Sequence, residues 1–218
     1  SNKAGVGRKT GEEKVRLVAE HMELLHSYVP AIQVNFMFGL DTDEGNEPIE
    51  LTKDFMTRTP FAWPVVNIPV PFGGTPLHDD YLADGRILVD LPFSFYYFPY
   101  LVTTLKNYDP ITYYRSLLDT LLHYSNRQFL WRRLGTTTSQ SLRLLYTVRT
   151  MRAKEGIGHF RKILDRLLTD RQFREFHQGG SVKVPEFYHH EFERLLGRYA
   201  PLISKEDRIP DLRSAATL

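Results

Sequence analysis

Two short apolar runs, separated by one amphipathic stretch, are the clearest pattern in the sequence. Residues 32–40 form the first run, which ends at Gly39 and passes into turn-forming residues. Residues 61–72 form the second, which breaks at Gly73. Between them Ile49, Phe55 and Met56 recur at helical steps, from about residue 47 to about residue 59. Strand, helix and strand in this order predict a parallel crossover unit.

Helical periodicity covers most of the remaining sequence. We predict helices at residues 12–28, from Thr75 to a glycine cap at Gly85, and at 110–134 after an Asp109 cap. A further helix buries Leu142, Leu145, Tyr146 and Val148, and Gly156–Gly158 forms a turn before a helix over 157–168. Gly179 and Gly180 break the chain, and a last helix spans 184–199. The fold class is therefore α/β, with an α/β portion at 1–100, a helical domain at 101–203 and a flexible tail at 204–218.

Polar and aromatic residues in the two strand regions are the candidates for function. Asn35 and Asn67 either fill a layer of the sheet, bonded to a neighbouring strand, or face a pocket. Asp41, Asp43 and Glu44 follow the first strand, and capping of the next helix with complementation of its dipole at Asn46–Pro48 is favoured over a role in chemistry. The aromatic segment from Asp90 to Pro99 is predicted to be extended, and it either packs the two halves of the chain together or lines an apolar cavity.

Composition excludes several classes of function. The chain of 218 residues has no cysteine, so it holds no disulfide and no thiolate metal site of its own. No run approaches the roughly 18 uncharged apolar residues of a membrane span, so no membrane partner and a cytoplasmic location are expected. Common nucleotide-binding and hydrolase motifs are absent, and His189 with Glu193 offers only two ligands. No metal site is predicted.

Charge is distributed unevenly. Residues 1–100 carry 8 Lys and Arg against 14 Asp and Glu, whereas residues 101–200 carry 17 against 9. One hypothesis is therefore a non-catalytic interaction module whose basic helices bind an anionic partner such as nucleic acid. Its candidate residues lie on two predicted helices and are Arg127, Arg132, Arg133, Arg143, Arg149 and Arg152. Because they are dispersed and lack an aromatic stacking platform, nucleic acid is not the favoured partner.

An ordered set of segments resembles a known enzyme family. The segments are residues 35–43 (NFMFGLDTD), 68–77 (IPVPFGGTPL) and 83–87 (ADGRI), with later similarity at 185–188 and 195–199. They resemble the last two barrel strands and the helical tail of radical S-adenosylmethionine enzymes, in the branch that carries a cobalamin-binding domain ahead of the barrel. The resemblance implies a partial barrel half, and an activity in which a reduced 4Fe–4S cluster cleaves S-adenosylmethionine to a 5′-deoxyadenosyl radical.

The resemblance also implies site residues and a limit on activity. The cofactor wall would be formed by residues in and after both strands: Asn35, Phe38, Gly39, Leu40, Asn67, Ile68, Pro69, Val70 and Pro71. The family's three-cysteine cluster loop has no counterpart in this sequence. We therefore expect a C-terminal fragment that needs the missing N-terminal part of the same protein, has no catalytic residue of its own and tends to self-associate. Cobalamin in the parent protein is possible on this resemblance.

Overall fold

A computed structural model describes residues 11–88, 91–181 and 183–202. The structure contains two strands, β1 and β2, and eight α-helices among these residues. In chain order they are α1 Gly11–His26, β1 Ile32–Met37, α2 Glu47–Arg58, β2 Ala62–Asn67, α3 Pro76–Ala83, α4 Pro110–Ser125, α5 Arg127–Gly135, α6 Gln140–Thr169, α7 Arg171–His177 and α8 Glu186–Leu196. Short 3₁₀ helices lie at Phe93–Phe95 and Gly197–Leu202. The chain is mostly helical with a small parallel sheet, which places it in the α/β class.

The predicted crossover unit is confirmed. β1 and β2 are parallel and paired in register from Ile32 with Ala62 to Met37 with Asn67. Exposure alternates along β1, as expected for a strand with one buried face. β2 accommodates Pro64 opposite Val34 and ends at Asn67, two residues before Pro69.

The described chain forms two compact units that are interleaved in sequence. The first contains the described residues of Ser1–Phe38, Asp43–Asn67 and Tyr114–Arg161. The second contains those of Gly39–Thr42, Ile68–Tyr113 and Lys162–Leu218. Each unit thus draws on both sides of residue 100. The division expected near that residue stays a prediction, and the expected tail at 204–218 lies outside the described residues.

The first unit has its core on both faces of the small sheet. On one face Ile32, Phe61 and Ala62 form a buried cluster against Met22 and Val34. On the other, Trp63 stacks on Tyr146 of α6 and meets Tyr124 of α4 edge to face. Large apolar side chains thus hold β1 and β2 in place from both faces of the sheet.

The second unit is held by a cluster of aromatic rings. Phe95 and Tyr100 are fully buried, and Phe95 packs edge to face on Tyr188 of α8 at 5.0 Å between ring centroids. Phe173 of α7 stacks on the same tyrosine. The Tyr100 hydroxyl donates to the Glu191 carboxylate, so a buried polar atom in this cluster has a partner.

Two predicted helix boundaries were wrong. The helix predicted at 110–134 is two helices, because the Asn126 side chain accepts a hydrogen bond from the Phe129 N–H and caps α5. The turn predicted at Gly156–Gly158 is absent, since α6 continues through it as one helix of 30 residues. Neither glycine has a positive φ, and the buried positions Ile157 and Phe160 continue the helical period across them.

The aromatic segment is folded rather than extended. In its described part, residues 91–99, the chain turns through the 3₁₀ helix at Phe93–Phe95. Phe95 enters the aromatic core, which agrees with a packing role, whereas Phe93 is exposed. Tight i→i+3 turns bring alternate rings to different sides, so one segment serves both the core and the surface.

Self-association is expected from the sheet. Among the described residues β1 and β2 pair only with each other, so each strand has one edge without a ladder partner. Sedimentation or light scattering at micromolar concentration should therefore show dimers or larger species. A single monomeric species across the concentration range would contradict this expectation.

Candidate functional site

The nine predicted site residues are divided between the units. Asn35, Phe38 and Asn67 belong to the first unit, at the ends of β1 and β2. The six others belong to the second unit and are Gly39, Leu40, Ile68, Pro69, Val70 and Pro71. In the first unit the Phe38 N–H donates to the Asn67 carbonyl at 3.2 Å, so the two strand ends are directly paired. Parallel strands bring their carboxyl ends to one edge, which is where α/β folds keep their chemistry.

Exposure separates these residues into two groups. Asn35 is exposed, and Leu40, Asn67 and Val70 are half-buried, so these side chains can be reached by a ligand. Phe38, Ile68, Pro69 and Pro71 are buried, as is Gly39. The side-chain amide oxygen of Asn35 accepts from the Gln33 side-chain amide at 3.4 Å, so this bond lies within β1 rather than between strands.

Gly39 is required by packing. Its φ is +92°, a region that disfavours side chains. A Cβ built at this position would lie 2.9 Å from Tyr113 Cε2 and 3.1 Å from Leu105 Cδ2, closer than real contacts allow. The glycine thus admits the Tyr113 ring beside the chain that leaves β1.

Replacing Gly39 with alanine is therefore expected to lower the free energy of unfolding by about 1–2 kcal/mol more than the matched change at Gly45. Gly45 has a φ of +61° but open space around a built Cβ, so its substitution tests backbone strain without the clash. Urea unfolding of both variants measures the difference. Equal destabilisation would contradict a packing requirement at Gly39.

An ion pair fixes the loop after β1. Arg86 Nη1 donates to Asp41 Oδ2 at 2.7 Å, and the Arg86 side chain is largely buried. The guanidinium lies 4.0 Å from the centre of the Tyr81 ring and also donates to the Thr104 carbonyl. The Asn107 side chain donates to the Asp41 carbonyl at 3.0 Å. The cluster joins residues 39–42 to residues 81–86 and 104–107 of the second unit, which holds residues 39–42 in place.

The electrostatics of this cluster favour structure over proton transfer. Burial raises the pKa of the Tyr81 phenol above its ordinary value, and the nearby Arg86 only partly offsets this. The phenol therefore stays protonated at neutral pH and can donate to Asp41 Oδ1, 3.5 Å away. The Asp41 carboxylate is occupied by Arg86 and Tyr81, so it is not placed as a general base.

Sequence reasoning missed this pairing. Capping of α2 was favoured for Asp41, but the structure gives that carboxylate to Arg86, and the interpretation was wrong. The residue at the cap position is Asn46, whose side chain makes no capping bond and instead donates to Glu50. Asp41 and Arg86 are 45 residues apart in sequence, so no local sequence pattern predicts their contact.

The glycine turn after β2 leads into α3 as predicted. Gly74 has a φ of +81°, and the Thr75 hydroxyl accepts from the His78 N–H and donates to the Phe72 carbonyl. Phe72 and Phe93 are both exposed, with ring centroids 6.0 Å apart, and Phe93 stacks on Tyr96. This exposed aromatic group, Phe72 and Phe93 beside the half-buried Tyr96, gives the second unit an apolar surface.

The chain does not fit a 4Fe–4S cluster on its own. The cluster needs thiolate ligands, and the sequence has none. Among the described residues no group of three His, Asp or Glu side chains is placed to bind a metal ion. The residues predicted to contact S-adenosylmethionine in the second unit are apolar: Leu40 and Val70 are half-buried, and Ile68, Pro69 and Pro71 are buried. Such a wall can accept an adenine face without a charged partner.

The six arginines of the interaction-module hypothesis are in different environments. Arg133 is fully buried, Arg143 Nε donates to the Thr137 carbonyl, and Arg149 lies 5.5 Å over the Trp63 ring. The other three, Arg127, Arg132 and Arg152, are exposed. Half of the set is thus used within the first unit, which weakens the case for one phosphate-binding surface.

Comparison with known proteins gives no relative. No protein-family model, curated protein or solved structure matches the chain. No described helix has the length and apolar character needed to cross a membrane.

Proposed function

We propose that the chain is the C-terminal part of a radical S-adenosylmethionine enzyme, in which residues after β1 and β2 form part of the cofactor wall. The carrying observation is the in-register parallel unit of β1, α2 and β2, with the predicted residues where the strands end. A partial barrel would end in such a unit, since a final strand followed by two prolines cannot extend its ladder.

Three features of the second unit support this role. Gly39 is fixed by Tyr113, and Asp41 is fixed by Arg86, so the segment after β1 has a defined position. Leu40 and Val70 are partly accessible among buried neighbours. The exposed aromatic group offers a cover for an apolar substrate. A preorganised wall orients a cofactor and excludes water, which is the protein's share of such chemistry.

In this proposal the cluster and its cysteines belong to another part of the same protein, and cobalamin is a further candidate cofactor there. The cluster supplies the electron for the reaction when it is bound. This chain supplies apolar contacts through Leu40 and Val70 of the second unit. In this proposal these side chains position the cofactor and neither take nor give a proton.

The first test concerns the reading frame and iron. A C-x-x-x-C-x-x-C motif should lie upstream of this sequence, at the spacing of one barrel domain. The 218 residues alone, reconstituted anaerobically with iron and sulfide, should bind no stoichiometric iron. A brown, iron-containing chain, or an upstream frame without the three cysteines, would refute the proposal.

The second test concerns the wall. In the whole protein carrying its cluster, addition of S-adenosylmethionine should shift the electron paramagnetic resonance signal of the cluster. Leu40→Asp and Val70→Asp should weaken that shift, because a carboxylate in an apolar wall is costly to desolvate. Leu82→Asp is the matched control, since Leu82 lies exposed on α3 of the same unit. An unchanged response in both wall variants would contradict the assignment.

A further inference from the structure

Helix α6 carries an apolar stripe that faces away from the core. Leu144, Val148 and Met151 are spaced at i, i+4 and i+7, so they share one face of the helix. Leu144 is 66% exposed, Met151 is 63% exposed and Val148 is 41% exposed. Exposure this large at three successive positions of one face is unusual, because single apolar residues are normally scattered over a surface.

The opposite face of α6 accounts for the packing of the helix. Tyr146, Thr150 and Ile157 are buried, and Tyr146 donates from its hydroxyl to the Phe61 carbonyl. At about 100° per residue, these positions lie roughly opposite the stripe. Leu145 and Val148, predicted to be buried, are 40% and 41% exposed, so that prediction was wrong. The side chains of the stripe therefore do not pack into the core of the first unit.

Cations border the stripe on both sides. Arg152 lies to one side of the stripe, and Arg143 and Lys154 lie to the other, each roughly 70–110° from its centre on a regular helix. All three are exposed. The long side chains of arginine and lysine can lie along an apolar surface and extend their charged ends outward.

The sequence before Lys154 has no acidic residue to neutralise these cations, and Glu155 follows directly after it, at i+4 from Met151. From Asn126 to Lys154 the chain contains six arginines and one lysine but no Asp or Glu. One of the seven, Arg133, is buried, which leaves a strongly positive surface on α5 and the first half of α6. α5 also exposes Trp131, at 73%, in the same unit. The partner that complements this surface is anionic and has an apolar interior.

We propose that the outward face of α6 binds the surface of an anionic phospholipid bilayer. The stripe would enter the boundary between head groups and acyl chains, while Arg143, Arg152 and Lys154 meet lipid phosphates. Trp131 is of the type enriched at that interface. Nucleic acid fits less well, since the exposed residues of the stripe are aliphatic and Met, which neither stack on bases nor bind phosphate.

This proposal is independent of the proposed function and of any membrane span. The expectation of no membrane partner came from the lack of a long apolar run, but a helix lying on a bilayer needs only one apolar face. A lying helix instead needs charge on its polar flanks, which α6 has.

Vesicle flotation with the full 218-residue chain tests the inference. Vesicles of phosphatidylcholine with about 30 mol % phosphatidylglycerol should bind at least about tenfold more tightly than pure phosphatidylcholine, because the surface cations are attracted to anionic lipid. The double variant Leu144→Glu, Met151→Glu should bind the anionic vesicles at least about tenfold more weakly. Leu82→Glu, at an exposed leucine of α3, is the matched control and should leave binding unchanged.

Further arms separate the alternatives. Arg152→Gln with Lys154→Gln should weaken binding to anionic vesicles and leave the thermal midpoint near that of the parent chain, which identifies loss of charge rather than of fold. Failure to bind anionic vesicles at low salt would overturn the proposal. So would vesicle binding that the double glutamate variant leaves intact, or binding of duplex DNA with no binding of vesicles. Conversion of a dimer to a monomer by the glutamates, without vesicle binding, would also overturn it and assign the stripe to a second copy.

Discussion

Replacing Arg133 with alanine is expected to lower the free energy of unfolding by about 2–4 kcal/mol. Arg133 is fully buried in the first unit, and its Nε donates to the Pro60 carbonyl at 3.1 Å. Its guanidinium carbon lies 4.6 Å from the Trp63 ring centre and 5.0 Å from that of Phe129. Alanine removes these contacts and leaves a cavity among aromatic rings that cannot easily close.

The charge itself is expected to contribute little to that loss. Nη1 and Nη2 of Arg133 have no hydrogen-bond partner among the described residues. Burial lowers the pKa of the guanidinium from its ordinary value to about 10, which reflects the cost of keeping a charge there. Replacing a buried charge by an apolar side chain of similar length is often nearly neutral. Arg133→Met should therefore change stability by about 1 kcal/mol or less.

Urea unfolding of the two Arg133 variants and of Arg149→Ala measures these contributions. Arg149 is the matched control, because it lies over the same Trp63 ring at 5.5 Å but is partly exposed. Its loss should cost less than about 1 kcal/mol. A methionine variant as unstable as the alanine variant would show that the buried charge, rather than the filled space, stabilises the first unit.

The sheet could be predicted because its signals are local. The apolar runs, the glycine after β1 and the prolines after β2 lie within a few residues of the boundaries they determine. The same holds for Thr75 and Asp109, whose side chains accept hydrogen bonds from the first turns of α3 and α4. Local hydrogen bonds of this kind act on the chain wherever it folds, so one sequence reveals them.

The errors arose where packing outweighed a local preference. A glycine costs about 1 kcal/mol within a helix, whereas burying a large apolar side chain stabilises by about 1.5–3 kcal/mol. Ile157, Phe160 and Ile163 are buried along one face of α6, and together they outweigh Gly156 and Gly158. Apolar periodicity also fails to say which apolar face is inside, so Leu145 and Val148 were assigned to the core together with Tyr146, of which only Tyr146 is buried.

The candidate site depends on contacts that are distant in sequence. The pairing of Asp41 with Arg86 and the fit of Tyr113 against Gly39 join segments separated by 45 and 74 residues. A single sequence contains no periodic signal for such pairs. The buried state of Arg133 has the same origin, since a cation next to another cation on a helix is usually a solvated residue.

Acidification is expected to destabilise the second unit through His177. The His177 ring is fully buried against Phe173, Phe176 and Tyr188, and burial lowers its pKa from 6.5 to about 3. Nε2 is 2.8 Å from the Tyr188 hydroxyl, and Nδ1 has no partner among the described residues. A second proton would place an unbonded charge among aromatic rings, so the folded state keeps the ring neutral.

The sign of the pH effect follows from proton uptake. Below pH 6.5 the unfolded chain binds a proton at His177 that the folded chain does not, so unfolding becomes more favourable as the pH falls. Between pH 7.5 and about 4.5 this linkage should remove about 2–3 kcal/mol of stability, and the loss should end only as the pH approaches the folded pKa. The lowered pKa of His123, caused first by burial and then by Lys53, acts in the same direction.

Urea unfolding of His177→Gln at pH 7.5 and at about pH 4.5 tests this linkage. Glutamine can accept the Tyr188 hydrogen bond but does not titrate, so the variant should lose about 2–3 kcal/mol less than the parent chain over that interval. His21→Gln, at an exposed position of α1, should keep the parent's full pH dependence. If the His177 variant lost as much stability on acidification as the parent, the proton that destabilises the fold would bind elsewhere, and the neutral buried imidazole would not be its cause.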